Sequence, residues 1–287
     1  MKRIVFYSII VSLIVLGCKS KNNPSWVVDS TQMNSKGINA VVDDINMRVL
    51  AITDVENTMS ADLFKGSFDD SLLAEKTPDG QFASVINAFL IVRGDDMVLV
   101  DAGLGNDKGG NLLAKLNFLG VKPEKVSAVL LTHLHSDHIG GLLRAGMPTF
   151  PNADIYLSVE EFNAWADGGV LAERNAQWKE VLASYADKVR PFVDGDTLID
   201  GLAIAMLAPG HTPGHTVYRV GNCLFVGDLV HAEDLQLSYP DFCARYDGDY
   251  PQAVMTRKKM IDYITDNKLL MCGAHCYTQP IVIDGSK

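Results

Sequence analysis

Basic residues are scarce in this chain: 25 Lys and Arg stand against 35 Asp and Glu, a formal charge of −10. That balance repels a phosphate backbone, so nucleic acid is disfavoured and no nucleic-acid partner is expected. Long apolar runs are lacking as well. Ile4–Leu16 holds 13 residues, short of the roughly 20 that a helix needs to span a bilayer. The five cysteines show no disulfide-framework spacing. Internal repeats and blocks of like charge are absent. What remains is a 287-residue chain, 47% hydrophobic, long enough for one large domain or two small ones.

Lys2 and Arg3 precede the apolar run, and together they read as the n- and h-regions of a signal peptide over residues 1–17. The "VLGCKS" that follows resembles a bacterial lipobox, which implies cleavage before Cys18 and a lipid on it. Residues 18–40 are rich in Ser, Asn and Lys, the composition of a tether. The expected organisation is therefore a folded domain over 41–287, held at the bacterial cell envelope, outside the cytoplasm, by the lipid on Cys18. Removing residues 1–17 deepens the formal charge to −12.

The domain sequence alternates short apolar strands with helices. Strands are expected at Ile45–Asp54, at "SVINAFLIVRG" and at "DMVLVDAGLG", with a turn at Gly94–Asp96. "NLLAKLNFLG" reads as a helix stopped at Gly120. "KPEKVSAVLLTH" ends in a strand, Ile139–Ala145 opens a helix, and "ADIYLSV" is a strand. Helices are expected over Val159–Asp167, from about Glu173 to Lys188, and over Pro251–Thr265, where proline suits a helix start. Strands recur from Val189 to Val226 and at "KLLMCGAHC". Two sheets with helices outside, as one α/β domain of the mixed (α+β) kind, satisfy this order. Glu56–Phe82 fits no element and is expected to be a long loop, with Met59, Leu63, Phe64 and Phe68 as core or cap packing. Trp165 and Trp178 read as packing residues, and Cys272 and Cys276 as small buried side chains.

One stretch stands out: "LLTHLHSDHIGGL", with His133, His135, Asp137 and His138 inside six residues. Burying such a cluster unpartnered costs about 1–3 kcal/mol per group, so a core does not call for it. Imidazole and carboxylate are ligands for zinc and its neighbours. In H-x-H-x-D-H, His133 and His135 can share one ion, and Asp137 and His138 another. Neither set is complete, so other segments must contribute. "GHTPGHT" offers His211 and His215, "FVGDLVH" offers Asp228 and His231, and "GAHC" offers His275. Spacing does not choose between His211 and His215.

"HLHSDH", "PGHTPGH", "VGD" and "GAH", in this order and preceded by "VDAGLG", resemble the metallo-β-lactamase superfamily from about Ile45 to the C-terminus. The resemblance implies a four-layer αββα sandwich. It implies one ion on His133, His135 and His211, a second on Asp137, His138 and His275, and Asp228 bridging both. His215 and Asp101 then support the ligands from behind. The segment from "GDLVHAEDLQ" through "YDGDYPQAVMTRKKMIDYI" resembles the branch containing methyl parathion hydrolase and, more distantly, the acyl-homoserine lactonases. Those lactonases carry tyrosine three residues after the bridging aspartate, where this chain has His231.

The implied activity is hydrolysis of a small ester, lactone or phosphotriester by a hydroxide bridging two zinc ions, with manganese or iron as alternative metals. Asp137 is the expected proton shuttle. His231 is the second catalytic candidate, as a donor to the substrate oxygen or a group titrating near neutral pH. Two competing readings are a one-ion iron oxidoreductase of the persulfide dioxygenase kind and a β-lactamase. The complete second ligand set argues against the first. Asp228, where many zinc β-lactamases place cysteine, argues against the second.

Overall fold

The computed structural model describes residues 30–44, 46–65, 70–172, 174 and 176–283. The expected signal peptide, Cys18 and Phe68 lie outside the described residues. In chain order the elements begin with α1 (Ser30–Asn34), β1 (Ile38–Asp43), β2 (Arg48–Ser60), β3 (Phe64–Lys65), α2 (Asp70–Lys76), β4 (Gln81–Arg93) and β5 (Asp96–Val100). Then come α3 (Leu112–Phe118), β6 (Ala128–Leu130), α4 (Ser136–Ile139), β7 (Leu143–Arg144), β8 (Met147–Pro148), β9 (Asp154–Ser158), α5 (Val159–Trp165) and α6 (Gln177–Ser184). The last part holds β10 (Val189–Phe192), β11 (Thr197–Leu198), β12 (Ala203–Leu207), β13 (Thr216–Val220) and β14 (Cys223–Gly227). It ends with α7 (Glu233–Gln236), β15 (Cys243–Ala244), α8 (Tyr250–Asn267), β16 (Leu270–Gly273) and β17 (Ile281–Val282).

The strands form a seven-stranded sheet, ordered β1-β2-β4-β5-β6-β9-β10, and a six-stranded sheet, ordered β11-β12-β13-β14-β16-β17. Period-two alternation explains why both sheets are covered on both faces. On β4, Phe89 and Ile91 point to the second sheet, where they meet Tyr218 and Phe225. Ala88, Leu90 and Val92 point the other way, to a cluster with Leu116 of α3, Trp165 of α5 and Val181 of α6. On β14, Phe225 faces inward, while Leu224 and Val226 pack on Met260, Ile261 and Ile264 of α8. Helix, sheet, sheet, helix is thus the layer order, as the resemblance implies.

Three expectations change. Residues 38–40, assigned to a tether, are the start of β1; Ile38 and, ahead of it, Met33 are buried in the core. These isolated apolar side chains sit in a polar stretch whose average composition hides them. Glu56–Phe82 is not one loop. β2 runs on to Ser60, pairs through Ser60↔Gln81, and α2 fills part of the connection. Met59 and Phe64 pack there with Phe82, Leu235 and Phe242, which is the core role expected of them. Ile139–Ala145 does not open a helix: α4 ends at Ile139, a single 3-10 turn follows, and β7 begins at Leu143. Gly140 and Gly141 set that stop. A Cβ would lie 2.1 Å from Leu104 O at Gly140 and 2.0 Å from Ala102 O at Gly141, so two backbone segments touch where side chains cannot fit.

Candidate metal centre

The candidate ligands lie where strands end. His133 and His135 follow β6, His211 follows β12, Asp228 follows β14 and His275 follows β16. β14 and β16 are parallel, so Asp228 and His275 emerge at the same edge, the usual place for a site on an α/β sheet. Asp137 and His138 lie on α4. Gly227 makes the approach possible: with φ 49° and Thr132 and His215 beside it, a Cβ would come 2.6 Å from His215 Nε2.

All seven histidines of the chain converge on this edge. His135 Nδ1 lies 2.9 Å from His133 Nε2 and 2.9 Å from His211 Nε2. Three imidazole nitrogens that close suit a shared cation, since tetrahedral zinc holds its nitrogens about 3.3 Å apart. Asp228 divides its carboxylate between two groups. Oδ2 lies 3.1 Å from His211 Nε2 and 3.7 Å from His133 Nε2. Oδ1 lies 3.0 Å from His138 Nε2 and 3.2 Å from His275 Nε2. Asp137 Oδ2 completes the second group, 3.5 Å from His275 Nε2 and 3.7 Å from His138 Nε2. His138 Nε2 and Asp228 Oδ1 are buried without a hydrogen-bond partner. Buried orphans are rare, and here they mark the place where a cation fits.

Without a metal, the charge pattern divides the histidines. Burial pushes the His133 pKa well below its usual value, and burial with His211 holds His135 at about 3. Both offer lone pairs at neutral pH. Burial works against the protonated forms of His138, His211 and His275, but Asp228 outweighs it. His211 rises to about 9. Burial likewise opposes the ionised Asp228, but His138, His275 and His211 hold its pKa well below the carboxylate range.

The supporting residues are legible in their contacts. Asp101 accepts from Thr132 N at 2.9 Å and Thr132 Oγ1 at 2.9 Å, and lies 2.7 Å from His138 Nδ1. It holds the left-handed φ of 58°, a strain that persists where surrounding contacts fix it. His215 uses both ring nitrogens. Nδ1 donates to Ala208 O at 3.1 Å, and Nε2 accepts from Asp228 N at 3.1 Å. That leaves His215 no lone pair for a metal, whereas His211 Nε2 faces His135 and Asp228. His231 is 1% exposed and stacks on His275 with ring centroids 5.3 Å apart at 12°. Its Nε2 lies 3.2 Å from Asp228 Oδ2. Burial lowers its pKa, against the opposing pull of Asp228. Asp137, with 27% of its side chain exposed, lies on the open side.

Sequence reasoning missed two carboxylates. Asp247 lies 3.0 Å from His211 Nδ1. Glu161, fully buried, ties the two ligand loops together. One oxygen accepts from Leu134 N at 3.0 Å and Trp165 Nε1 at 2.7 Å; the other accepts from Thr212 Oγ1 at 2.6 Å and Gly214 N at 3.1 Å. The S-x-x-E spacing of Ser158 and Glu161 was the available signal, but it describes a helix cap, and here the Glu161 side chain turns inward instead. Four donors need four lone pairs, and an amide offers only two. Glu161→Gln is therefore expected to destabilise the chain by about 1–3 kcal/mol, read in urea unfolding. A change under about 0.5 kcal/mol sinks this account.

His215 carries a pH prediction. Burial pushes its folded pKa to about 3, against about 6.5 unfolded. A neutral buried histidine stabilises above the unfolded value, and that stability is lost as pH falls from about 6.5 towards 3. For the metal-free chain, the contribution lost between pH 7 and pH 4 is about 3 kcal/mol. His215→Gln should flatten the acid limb of stability against pH by that order. An identical limb in the variant contradicts the assignment.

Comparison with known proteins finds relatives over most of the domain. Residues 82–266 match the family model described as the metallo-beta-lactamase superfamily. Hydroxyacylglutathione hydrolase of Aeromonas salmonicida (strain A449) is 27% identical over 192 residues, which are 66% of this chain and 61% of that relative. The chain thus spans less than two thirds of that relative's length. Among solved structures, hydrolase AbOPH in the beta lactamase superfamily superposes with a TM-score of 0.74 at 28% identity, over 86% of this chain and 97% of that one. AidC, a dizinc quorum-quenching lactonase in complex with a product, N-hexnoyl-L-homoserine, superposes with a TM-score of 0.73 at 25% identity, over 83% of this chain and 90% of that one.

Proposed function

The chain belongs to the metallo-beta-lactamase superfamily, and on that footing we propose that it is a binuclear metal-dependent hydrolase of small esters, lactones or phosphotriesters. The observation that carries the proposal is the divided carboxylate of Asp228, one oxygen facing His133 and His211 and the other facing His138 and His275. A single-ion enzyme has no need of the second set. The donors, imidazole nitrogen with a few carboxylate oxygens, suit zinc first and manganese or iron next. A divalent ion held there supplies Lewis acidity toward a carbonyl or phosphoryl oxygen and makes water acidic near neutral pH.

The chain's own groups do the rest. His133, His135 and His211 would hold one ion, and Asp137, His138 and His275 the other. Asp137 is the acidic group on the open side, positioned to take and return a proton at its carboxylate. His231, buried against Asp228, can donate from its ring to an oxygen on which charge develops. The relatives support a small-molecule substrate: AidC is a lactonase, and the Aeromonas relative is a hydroxyacylglutathione hydrolase.

Metal analysis of the purified protein, followed by a hydrolysis screen over lactones, aryl esters, phosphotriesters and β-lactams, tests this reading. About two ions per chain and turnover on one of the first three classes are expected. A fully active protein with one ion per chain overturns the binuclear assignment. Among the described residues no helix is long and apolar enough to cross a membrane. We further propose envelope attachment through a lipid on Cys18. Labelled fatty acid should enter the chain in a bacterial host and fail to enter Cys18→Ala; no label in either chain removes the anchor.

A further inference from the structure

Each candidate ion has one histidine backed by a carboxylate. In the second set it is His138, 2.7 Å from Asp101. In the first it is His211, whose Nδ1 lies 3.0 Å from Asp247 Oδ1. Asp247 sits on the loop between β15 and α8, 36 residues along the chain from His211. Its other oxygen accepts from Ala244 N at 3.1 Å and from Arg257 Nη2 at 3.3 Å. Arg257, 1% exposed on α8, also donates to Leu229 O at 2.7 Å, Pro240 O at 2.8 Å and Phe242 O at 2.7 Å. The stretch from Asp228 to Asp247 is thus wrapped around one buried guanidinium.

We propose that Asp247, anchored by Arg257, is a positioning residue that sets the affinity of the ion held by His133, His135 and His211. The proposal rests on reading those three histidines as one ion's ligands. The physical reason lies in the tautomer. His211 must keep its Nε2 lone pair free, so its proton must sit on Nδ1, and Asp247 is the acceptor there. A carboxylate behind a ligand imidazole also raises its basicity and fixes the ring plane. Arg257 keeps that carboxylate in place from the other side, through the planar fork that suits a carboxylate and several carbonyls at once. His133 and His275 have weaker backing, a threonine hydroxyl at 3.0 Å and the Val85 carbonyl at 2.9 Å. The first set therefore depends on Asp247 as the second depends on Asp101.

The test titrates the metal-free protein with zinc against a chromophoric chelator, in wild type, Asp247→Asn and Asp101→Asn. Cobalt spectra of the same proteins report ligand geometry. In Asp247→Asn one of the two affinities should fall by about 10–100-fold, with a changed cobalt spectrum, while the other stays within about threefold. Asp101→Asn should weaken the other ion. Asn leaves Arg257 without its counter-charge and costs stability, so the control is Leu116→Ala, a truncation in the core beyond the first sheet, compared at its own loss of thermal stability. The control should keep both affinities. A control that loses the same affinity shows that general destabilisation is the cause and overturns the proposal, as do unchanged affinities in Asp247→Asn. Wild-type stoichiometry comes from the same titration. One ion per chain there rejects the two-ion reading itself, separately from any effect of Asp247.

Discussion

Asp228→Ala is expected to lower the occupancy of both ions and to reduce turnover by about a thousandfold or more, because a two-metal clamp fails when its shared ligand is lost. The other candidate ligands serve one group each, whereas Asp228 faces a histidine pair from each group with its two oxygens. Its removal leaves His133, His135 and His211 as a three-nitrogen set and Asp137, His138 and His275 as a set of one oxygen and two nitrogens. Neither then has a fixed fourth ligand. Asp228→Asn separates the two halves of the effect. Its amide oxygen can serve one group, and its NH2 turns a donor toward the other. Asn should therefore keep about one ion where Ala keeps neither firmly. Metal content after desalting, measured beside kcat on one substrate, distinguishes the cases. A Asp228→Ala protein that retains two ions and wild-type turnover is incompatible with a bridging role.

The layer order was readable because β4 and β14 are apolar on both faces, and a two-sided strand has to be covered twice. The candidate metal ligands were readable because H-x-H-x-D-H is costly to bury without a metal, and because the remaining candidates follow apolar strands. The choice between His211 and His215 was not open to spacing. What separates them is the loop that turns His215 Nδ1 onto Ala208 O and sets Asp228 N against its Nε2. Asp247 was hidden in "YDGDY", where an aspartate looks like turn chemistry; its partner Arg257 is on the next helix and its histidine is 36 residues away. Glu161 was hidden by reading Val159–Asp167 only as a helix, since periodicity says which face is buried but not which buried group is a polar tie. The outer half of the β2–β4 hairpin was lost for another reason: Glu56, Asn57 and Thr58 are exposed or partly so. They show no apolar alternation, and cross-strand pairing alone defines them.

His231→Ala is expected to slow turnover by about 10–1,000-fold, the range for losing a positioned donor or acid, while both ions stay bound. His231 stands three residues after Asp228, and its backbone N–H is fixed by Gln236 Oε1 at 2.7 Å. The ring is held flat on His275 and its Nε2 reaches Asp228 Oδ2 at 3.2 Å, while Nδ1 is buried without a hydrogen-bond partner. A group kept unpartnered at such a place costs stability, and a substrate oxygen would relieve it. Burial lowers its pKa, which favours the neutral ring as a hydrogen-bond donor. Losing it should lower kcat more than it raises KM, since the donated bond strengthens as charge builds on the oxygen. His231→Gln keeps an N–H donor and should recover part of the rate. Metal content and kcat on the same His231→Ala preparation decide the matter. Lost metal with lost rate makes His231 a support for the ion site, and an unchanged kcat leaves the chemistry to the ions and Asp137.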